Sequence, residues 1–241
     1  MKLAVFGDDG RMGTAVCRLA AEYAATVVFR SSEHARDAST YAAALRASGA
    51  QVAIDFSHAS AFVEILAACT ESGVALVSGT TGFGAEGERA LASARVPVLW
   101  EPNLSIGVHV LTALVREAVA QLGPSFDVEI VEAHHKHKLD APSGTALRLA
   151  EAVRAARTEL ALRHGRHGAQ VKREASELGM HAVRGGSVVG DHSVHLLGES
   201  ERVELTHRAE SRDVFARGAL RAARWILGRP AGRYRLADML A

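Results

Sequence analysis

What the chain lacks already narrows what it can do. Aromatic residues fill only 5% of its 241 positions, cysteine occurs twice, and 28 basic against 27 acidic side chains leave a formal net charge of +1. A balance this even gives no general attraction to nucleic acid or to an anionic membrane, so an anionic partner must be held by charges gathered locally. Cys17 and Cys69 lie in apolar, helix-like stretches without CxxC spacing. That argues against a disulfide framework and for reduced thiols in a cytosol. No uninterrupted apolar run reaches the roughly 18 residues that span a bilayer. The apolar start at residues 1–6 breaks off at Gly7-Asp8-Asp9-Gly10, too early for a secretory signal. The expectation is a cytoplasmic protein with no nucleic-acid and no membrane partner.

What is present is alternation. Short apolar runs at 3–6, 26–29, 52–56, 74–78 and 96–100 are strand-like, and amphipathic stretches at 12–24, 39–47, 59–71 and 86–94 separate them. Near-continuous apolar strands alternating with helices predict a parallel sheet covered on both faces. The pattern changes after Asn103. A helix over 107–121 leads to a strand over 127–133, a His/Lys-rich loop and a helix from about 143 to 160. The basic, Gly-punctuated stretch 163–173 reads as a flexible surface loop. It lacks the interleaved aromatics of a nucleic-acid surface. Half-polar strands at 182–197 and 202–207 have the composition of an antiparallel sheet, and a last helix over 214–227 precedes a short tail. The fold class expected is α/β: an N-terminal Rossmann-like parallel sheet over 1–104, completed by 213–241, and a C-terminal α+β domain over 105–212 for substrate and oligomerisation.

The first strand runs into Gly7-Asp8-Asp9-Gly10-Arg11-Met12-Gly13 and then a helix. Glycines allow a sharp turn and close approach to a pyrophosphate, while the helix start offers N–H groups and a positive dipole. The second strand ends in Phe29-Arg30-Ser31-Ser32, where a guanidinium and two hydroxyls suit the 2′-phosphate of NADP better than a bare ribose. Glu33 could serve NAD instead if that strand runs longer. Two more polar strand ends, Gly79-Thr80-Thr81 and Glu101-Pro102-Asn103-Leu104, fall on the same sheet edge, where ligands of such sheets bind.

The densest chemistry lies in Glu132-Ala133-His134-His135-Lys136-His137-Lys138-Leu139-Asp140-Ala141-Pro142-Ser143-Gly144-Thr145-Ala146. Pro142 suits a first helical turn and Asp140 a cap, which would leave the Ser143, Gly144 and Thr145 amides to hold a carboxylate beside the Lys138 charge. Histidine is best poised to give a proton near neutral pH. Lys136 and Lys138, interleaved among the histidines, oppose a metal site. The segment therefore reads as a site for an anionic substrate whose reaction needs a proton.

These pieces, with Ile54-Asp55-Phe56-Ser57, Asn103-Leu104-Ser105-Ile106-Gly107-Val108, Arg184-Gly185-Gly186 and Val189-Gly190-Asp191-His192, resemble the dihydrodipicolinate reductase family over nearly the whole chain. The resemblance implies a homotetramer passing hydride from NADPH, or NADH, to the dehydrated form of 4-hydroxy-tetrahydrodipicolinate in lysine and diaminopimelate synthesis. It implies His134 as proton donor and Lys138 as second donor, with His135, Ser143, Gly144 and Thr145 on the dicarboxylate. Gly7 to Met12, Arg30, Gly79 to Thr81 and Glu101 to Leu104 would line the cofactor. The chain departs from the family at Asp8 and Asp9, where small residues are usual and carboxylates would repel a pyrophosphate unless they face solvent. Competing readings are a dehydrogenase of another small dicarboxylate and a nucleotide-binding regulator without catalysis. The presence of both His134 and Lys138 speaks against the latter.

Overall fold

The computed structural model describes residues 1–32 and 37–241, so Glu33 lies outside the described residues. The chain forms two compact units, Met1–Ile106 with Arg212–Ala241, and Gly107–Ser211.

In the first unit, β1 (Lys2–Phe6), β2 (Thr26–Ser31), β3 (Val52–Asp55), β4 (Ala75–Ser78) and β5 (Pro97–Trp100) are joined by β11 (Gly232–Tyr234), numbered along the chain. All pair in parallel, in the order β2-β1-β3-β4-β5-β11. Side chains alternate along each strand, so a sheet covered on both faces buries every residue of a strand. On β1, Leu3 and Val5 pack on one face with Val16, Leu220 and Ile226, while Ala4 and Phe6 pack on the other with Tyr41, Phe62 and Ile65. The first of these faces is covered by α1 (Arg11–Leu19) and α7 (Asp213–Ile226), the second by α2 (Ala38–Ser48) and α3 (Phe62–Ser72). The short tail after α7 adds β11 to the sheet and a helix, α8 (Leu236–Leu240). Three residues beside an existing strand carry too little pattern to be read in advance.

The second unit holds α5 (Ile106–Leu122), β6 (Asp127–His134), α6 (Gly144–Ala156), β7 (Ala161–His164), β8 (Glu177–Arg184), β9 (Gly190–Leu197) and β10 (Arg202–Ala209). By length and composition the segment Ile106–Ser125 could cross a membrane. The spacing of Val108, Leu111, Val115 and Val119, all buried, is that of an amphipathic helix, and the last three belong to this unit's core. The sheet runs β10-β9-β6-β8-β7 and is mixed, which corrects the antiparallel expectation. β6 pairs antiparallel with β9 but parallel with β8, and β7 pairs parallel with β8. Half-polar composition reports one wet face, which a mixed sheet can also have, and says nothing of strand direction.

The stretch 165–173 has no helix or strand and is mostly exposed, as a surface loop is, but it is tied down. Arg163 and His164, just before it, belong to edge strand β7. Arg166 chelates Glu129 and also bonds Glu177, while Arg173 reaches Asp127 and Glu129. Arg166 and Arg173 are matched to carboxylates on β6 and β8, a long-range pairing that local sequence cannot display.

Candidate active site

In the first unit β2 and β3 flank β1 on opposite sides, so the strand order reverses at β1. In open α/β sheets that reversal opens a crevice at the carboxyl ends of the strands. A cleft of about 490 Å³ lies there, lined by Gly10, Arg11 and Met12 after β1, Phe56 to Ala59 after β3, Gly79 to Thr81 after β4, and Arg212. Gly7 turns the chain with φ of +75°, and a Cβ on Gly13 would run into the Gly7 carbonyl, so helix and loop pack as closely as backbone allows. The start of α1 has no side-chain cap and no acidic residue in its first turn, leaving its dipole to the cleft.

Buried Asp55 braces two walls of this cleft. Its carboxylate accepts from the Ser57 amide at 2.8 Å and from the Ser78 hydroxyl at 2.8 Å, and Ser78 Oγ accepts from the Thr80 amide at 3.1 Å. Thr80 Oγ1 is buried with no protein partner. Burial and the Arg11 guanidinium both hold Arg212 below the ordinary arginine range. Two cations crowding one cleft, an uncapped helix start and an unpartnered hydroxyl fit a phosphorylated, polar cofactor such as a dinucleotide.

Arg30 is exposed on β2, which runs to Ser31 rather than stopping at Phe29, and Ser31 accepts the Gly7 amide at 2.7 Å. Asp9 is exposed and Asp8 half-buried, so the Asp9 carboxylate at least is free to face water. Glu101 and Leu104 are buried, with Leu104 in the core, whereas Pro102 is exposed. Neither Arg30 nor the 101–104 turn lines the cleft.

In the second unit, register explains why chemistry gathers at one end of the sheet. Across β8, β6, β9 and β10, the inner face reads Leu178-Val128-Leu196-Val203, then Met180-Ile130-Val194-Leu205, all in or against the core. The next row is Ala182-Glu132-His192-His207, and the last is Arg184-His134 with Gly190 and Ala209 beyond. Two apolar rows thus give way to polar ones at the carboxyl end of β6.

Glu132 is 1% exposed and His134 8%. His134 Nδ1 lies 2.6 Å from Glu132 Oε2. Arg184 donates to both carboxylate oxygens, at 2.7 and 2.8 Å, and the Ser143 amide donates to Oε1 at 3.0 Å. Burial alone would raise the Glu132 carboxyl, but the bonds from Arg184, His134 and Ser143 outweigh it and hold it below the usual range. His192 stands with its ring centroid 5.1 Å from that of His134 and its Nε2 3.1 Å from Ser143 Oγ. Burial and the neighbouring His134 push it down to about 4, so it is neutral at pH 7.

The cap of α6 is Ser143, whose hydroxyl accepts the Ala146 amide, and not Asp140. Pro142 precedes the helix, and Asp140 pairs with Lys138 at 2.9 Å. The Ser143 amide is committed to Glu132, and Gly144 and Thr145 follow it as the first residues of α6. His135 is half-buried in the turn before Lys138, whose amide donates to its carbonyl. Sequence reasoning missed Arg212, His58, Asp55 and the Glu132–Arg184 pair as site residues. Asp55, Glu132 and Arg184 had only their membership in the motif segments as a signal, while His58 and Arg212 stand outside those segments and had none.

Family models described as dihydrodipicolinate reductase, N-terminus and C-terminus match residues 1–104 and 107–240. A 4-hydroxy-tetrahydrodipicolinate reductase of Anaeromyxobacter dehalogenans is 46% identical over 99% of this chain and 97% of its own. Another, of Myxococcus xanthus, is 52% identical over 82% and 74%. Among solved structures, a dipicolinate-bound dihydrodipicolinate reductase from Paenisporosarcina sp. TG-14 shares the fold with a TM-score of 0.79 at 21% identity, covering 98% of this chain and 97% of that one. An amine dehydrogenase from Mycobacterium smegmatis has a more distant likeness, with a TM-score of 0.54. Two family models together account for nearly every residue, and relatives this similar run along most or all of the chain. The chain belongs to the dihydrodipicolinate reductases, NAD(P)H-dependent oxidoreductases.

Proposed function

We propose that this chain reduces the dehydrated form of 4-hydroxy-tetrahydrodipicolinate to tetrahydrodipicolinate, with His134 as proton donor, Lys138 as second donor and NADPH as the preferred cofactor. The observation that carries the reading is the buried His134–Glu132 pair at the end of β6, set beside the first turn of α6 and the Lys138 turn. When bound, the dinucleotide supplies the hydride. Gly10, Arg11, Met12, Gly79, Thr80 and Thr81, which line the cleft, would hold it together with Gly7, Asp8, Asp9, Arg30 and the Glu101, Pro102, Asn103 and Leu104 turn outside that lining, and Arg212 would add a charge for its phosphates.

The second unit's residues do the rest. The Gly144 and Thr145 amides and the Lys138 ammonium suit a carboxylate, and His135 supplies a further contact. Ser143 acts from behind, as cap and as donor to Glu132. Hydride added to a conjugated imine leaves an electron-rich enamine, which His134 is suited to protonate. Gripping the dicarboxylate fixes the reacting ring, which lowers the barrier through proximity as well as affinity.

The outer face of the mixed sheet offers Val131, Val183 and Leu197 among charged residues and supports assembly, as a homotetramer, through this unit. Light scattering that returns a monomer mass at micromolar concentration overturns the assembly. Cys17 and Cys69 are unpaired thiols, which suits the cytoplasm. The activity is tested by following NADPH oxidation with substrate made in situ by the preceding synthase; no turnover above the synthase-free control overturns it.

A further inference from the structure

Glu132 has a geometry that no fold requirement explains. Its two oxygens have about four acceptor positions, and four donors fill them: two from Arg184, the Ser143 amide and His134 Nδ1. They come from three directions, along β8, from the start of α6 and from β6 itself. Arg184 also donates to the carbonyls of Asp140 and Val183, at 2.6 and 2.7 Å, so the same guanidinium that fixes Glu132 fixes the turn carrying Lys138. On the remaining side stands His192, which is neutral and points its Nε2 at Ser143. The carboxylate can neither rotate nor take another donor.

An ionised carboxylate only accepts, so a ring nitrogen 2.6 Å away must carry its proton toward it. This settles which nitrogen is left for chemistry. We propose that Glu132, held by Arg184, is the positioning residue of the reaction: it fixes the His134 proton on Nδ1 and so makes Nε2 the atom that protonates the substrate. This inference rests on the proton-donor role proposed above for His134. In the step itself the Nε2–H bond of the imidazolium breaks and its proton forms the new C–H bond of the enamine carbon. The ring is left neutral with Nδ1–H still bonded to Glu132, and solvent later restores the Nε2 proton. A glutamine at position 132 could instead offer its amide N–H to Nδ1, which turns the neutral ring over to the Nε2–H tautomer and disorders the donor.

The test combines a spectroscopic and a kinetic arm on the full chain. Nitrogen-15 NMR of the histidines with NADP⁺ bound, assigned through His134→Gln, should show neutral His134 protonated on Nδ1. Neutral His134 protonated on Nε2 overturns the proposal even if no Glu132 variant folds. Kinetically, Glu132→Gln should lower kcat about 10- to 100-fold, the weight of one charge-assisted hydrogen bond, with NADPH affinity unchanged. In a His134→Gln background the same change should cost less than about twofold, because a residue that acts only through His134 has nothing left to position. A full additional loss in the double variant marks a merely structural role and overturns the proposal. Near wild-type turnover of His134→Gln alone would strike instead at the proton-donor reading, so the two failures are told apart.

Discussion

Gly190 stands across the strand pair from His134, and a Cβ built on it would lie 3.0 Å from His134 Nε2. The missing side chain is therefore room for the imidazole, placed beside the nitrogen that faces away from Glu132. Gly190→Ala should push the ring by a few tenths of an ångström and strain the 2.6 Å bond. Displacement of a positioned group lowers rate more than affinity, so kcat should fall about 10-fold or more with little change in NADPH binding. Unchanged kcat in the alanine variant would show that the ring has slack.

His134 and Lys138 should separate kinetically. Loss of a positioned proton donor costs roughly 10²–10⁴-fold, so His134→Gln should lower kcat strongly and leave NADPH affinity nearly intact. Lys138→Met should raise KM as well, because the charge grips substrate before and during reaction. It also leaves Asp140 without its 2.9 Å partner, which adds a repulsive carboxylate to the same turn. Steady-state kinetics with fluorescence titration of NADPH measures both; equal KM in wild type and Lys138→Met contradicts the grip.

Much of this was legible because it is local. The apolar strands of the first sheet, the glycines before α1 and the run from Glu132 to Ala146 stand in the sequence as patterns a few residues long. What was not legible depends on register. Glu132 and Arg184 are 52 positions apart and meet because β6 and β8 run parallel with His134 opposite Arg184. The pairing of Arg166 and Arg173 with Glu129 likewise ties the expected loop to β6 through ion pairs that the local sequence does not display. The cap of α6 is Ser143, the residue directly before Gly144, whereas Asp140 lies three residues upstream and pairs with Lys138; the boundary of a helix is less legible than its existence.

Cofactor preference tests the end of β2. An Arg–phosphate contact is worth about 1.5–3 kcal/mol, roughly tenfold to a hundredfold in affinity. NADPH should therefore bind more tightly than NADH, and Arg30→Ala should bring the two together. Arg212 lines the cleft beside the start of α1 and is proposed to face the pyrophosphate that both cofactors carry. Arg212→Ala should weaken both alike. Dissociation constants by fluorescence titration decide it, and tighter binding of NADH by the wild type sinks the assignment of Arg30.

Acid stability should turn on Glu129. Burial alone would raise this carboxyl, but hydrogen bonds from Arg166, His181 and Arg173 outweigh it and hold it at about 2, against 4.5 for the ordinary group. A carboxyl whose folded value is depressed stabilises the fold above its unfolded value, and the contribution is lost as pH falls toward the folded one. The gap corresponds to an effect on the order of 3 kcal/mol, present in full above about pH 5.5 and fading between there and pH 2. Glu129→Gln removes the charge and leaves Arg166 with Glu177 and Arg173 with Asp127 as their remaining carboxylate partners. The variant should be less stable than wild type at pH 7, and the difference should shrink steadily below pH 4.5 as wild-type Glu129 itself takes up a proton. Urea unfolding of both proteins at pH 7, 5, 4 and 3 measures it. A difference that stays constant across this series would mean that Glu129 acts through shape and packing, and that its charge contributes nothing to holding β6, β8 and the 165–173 segment together.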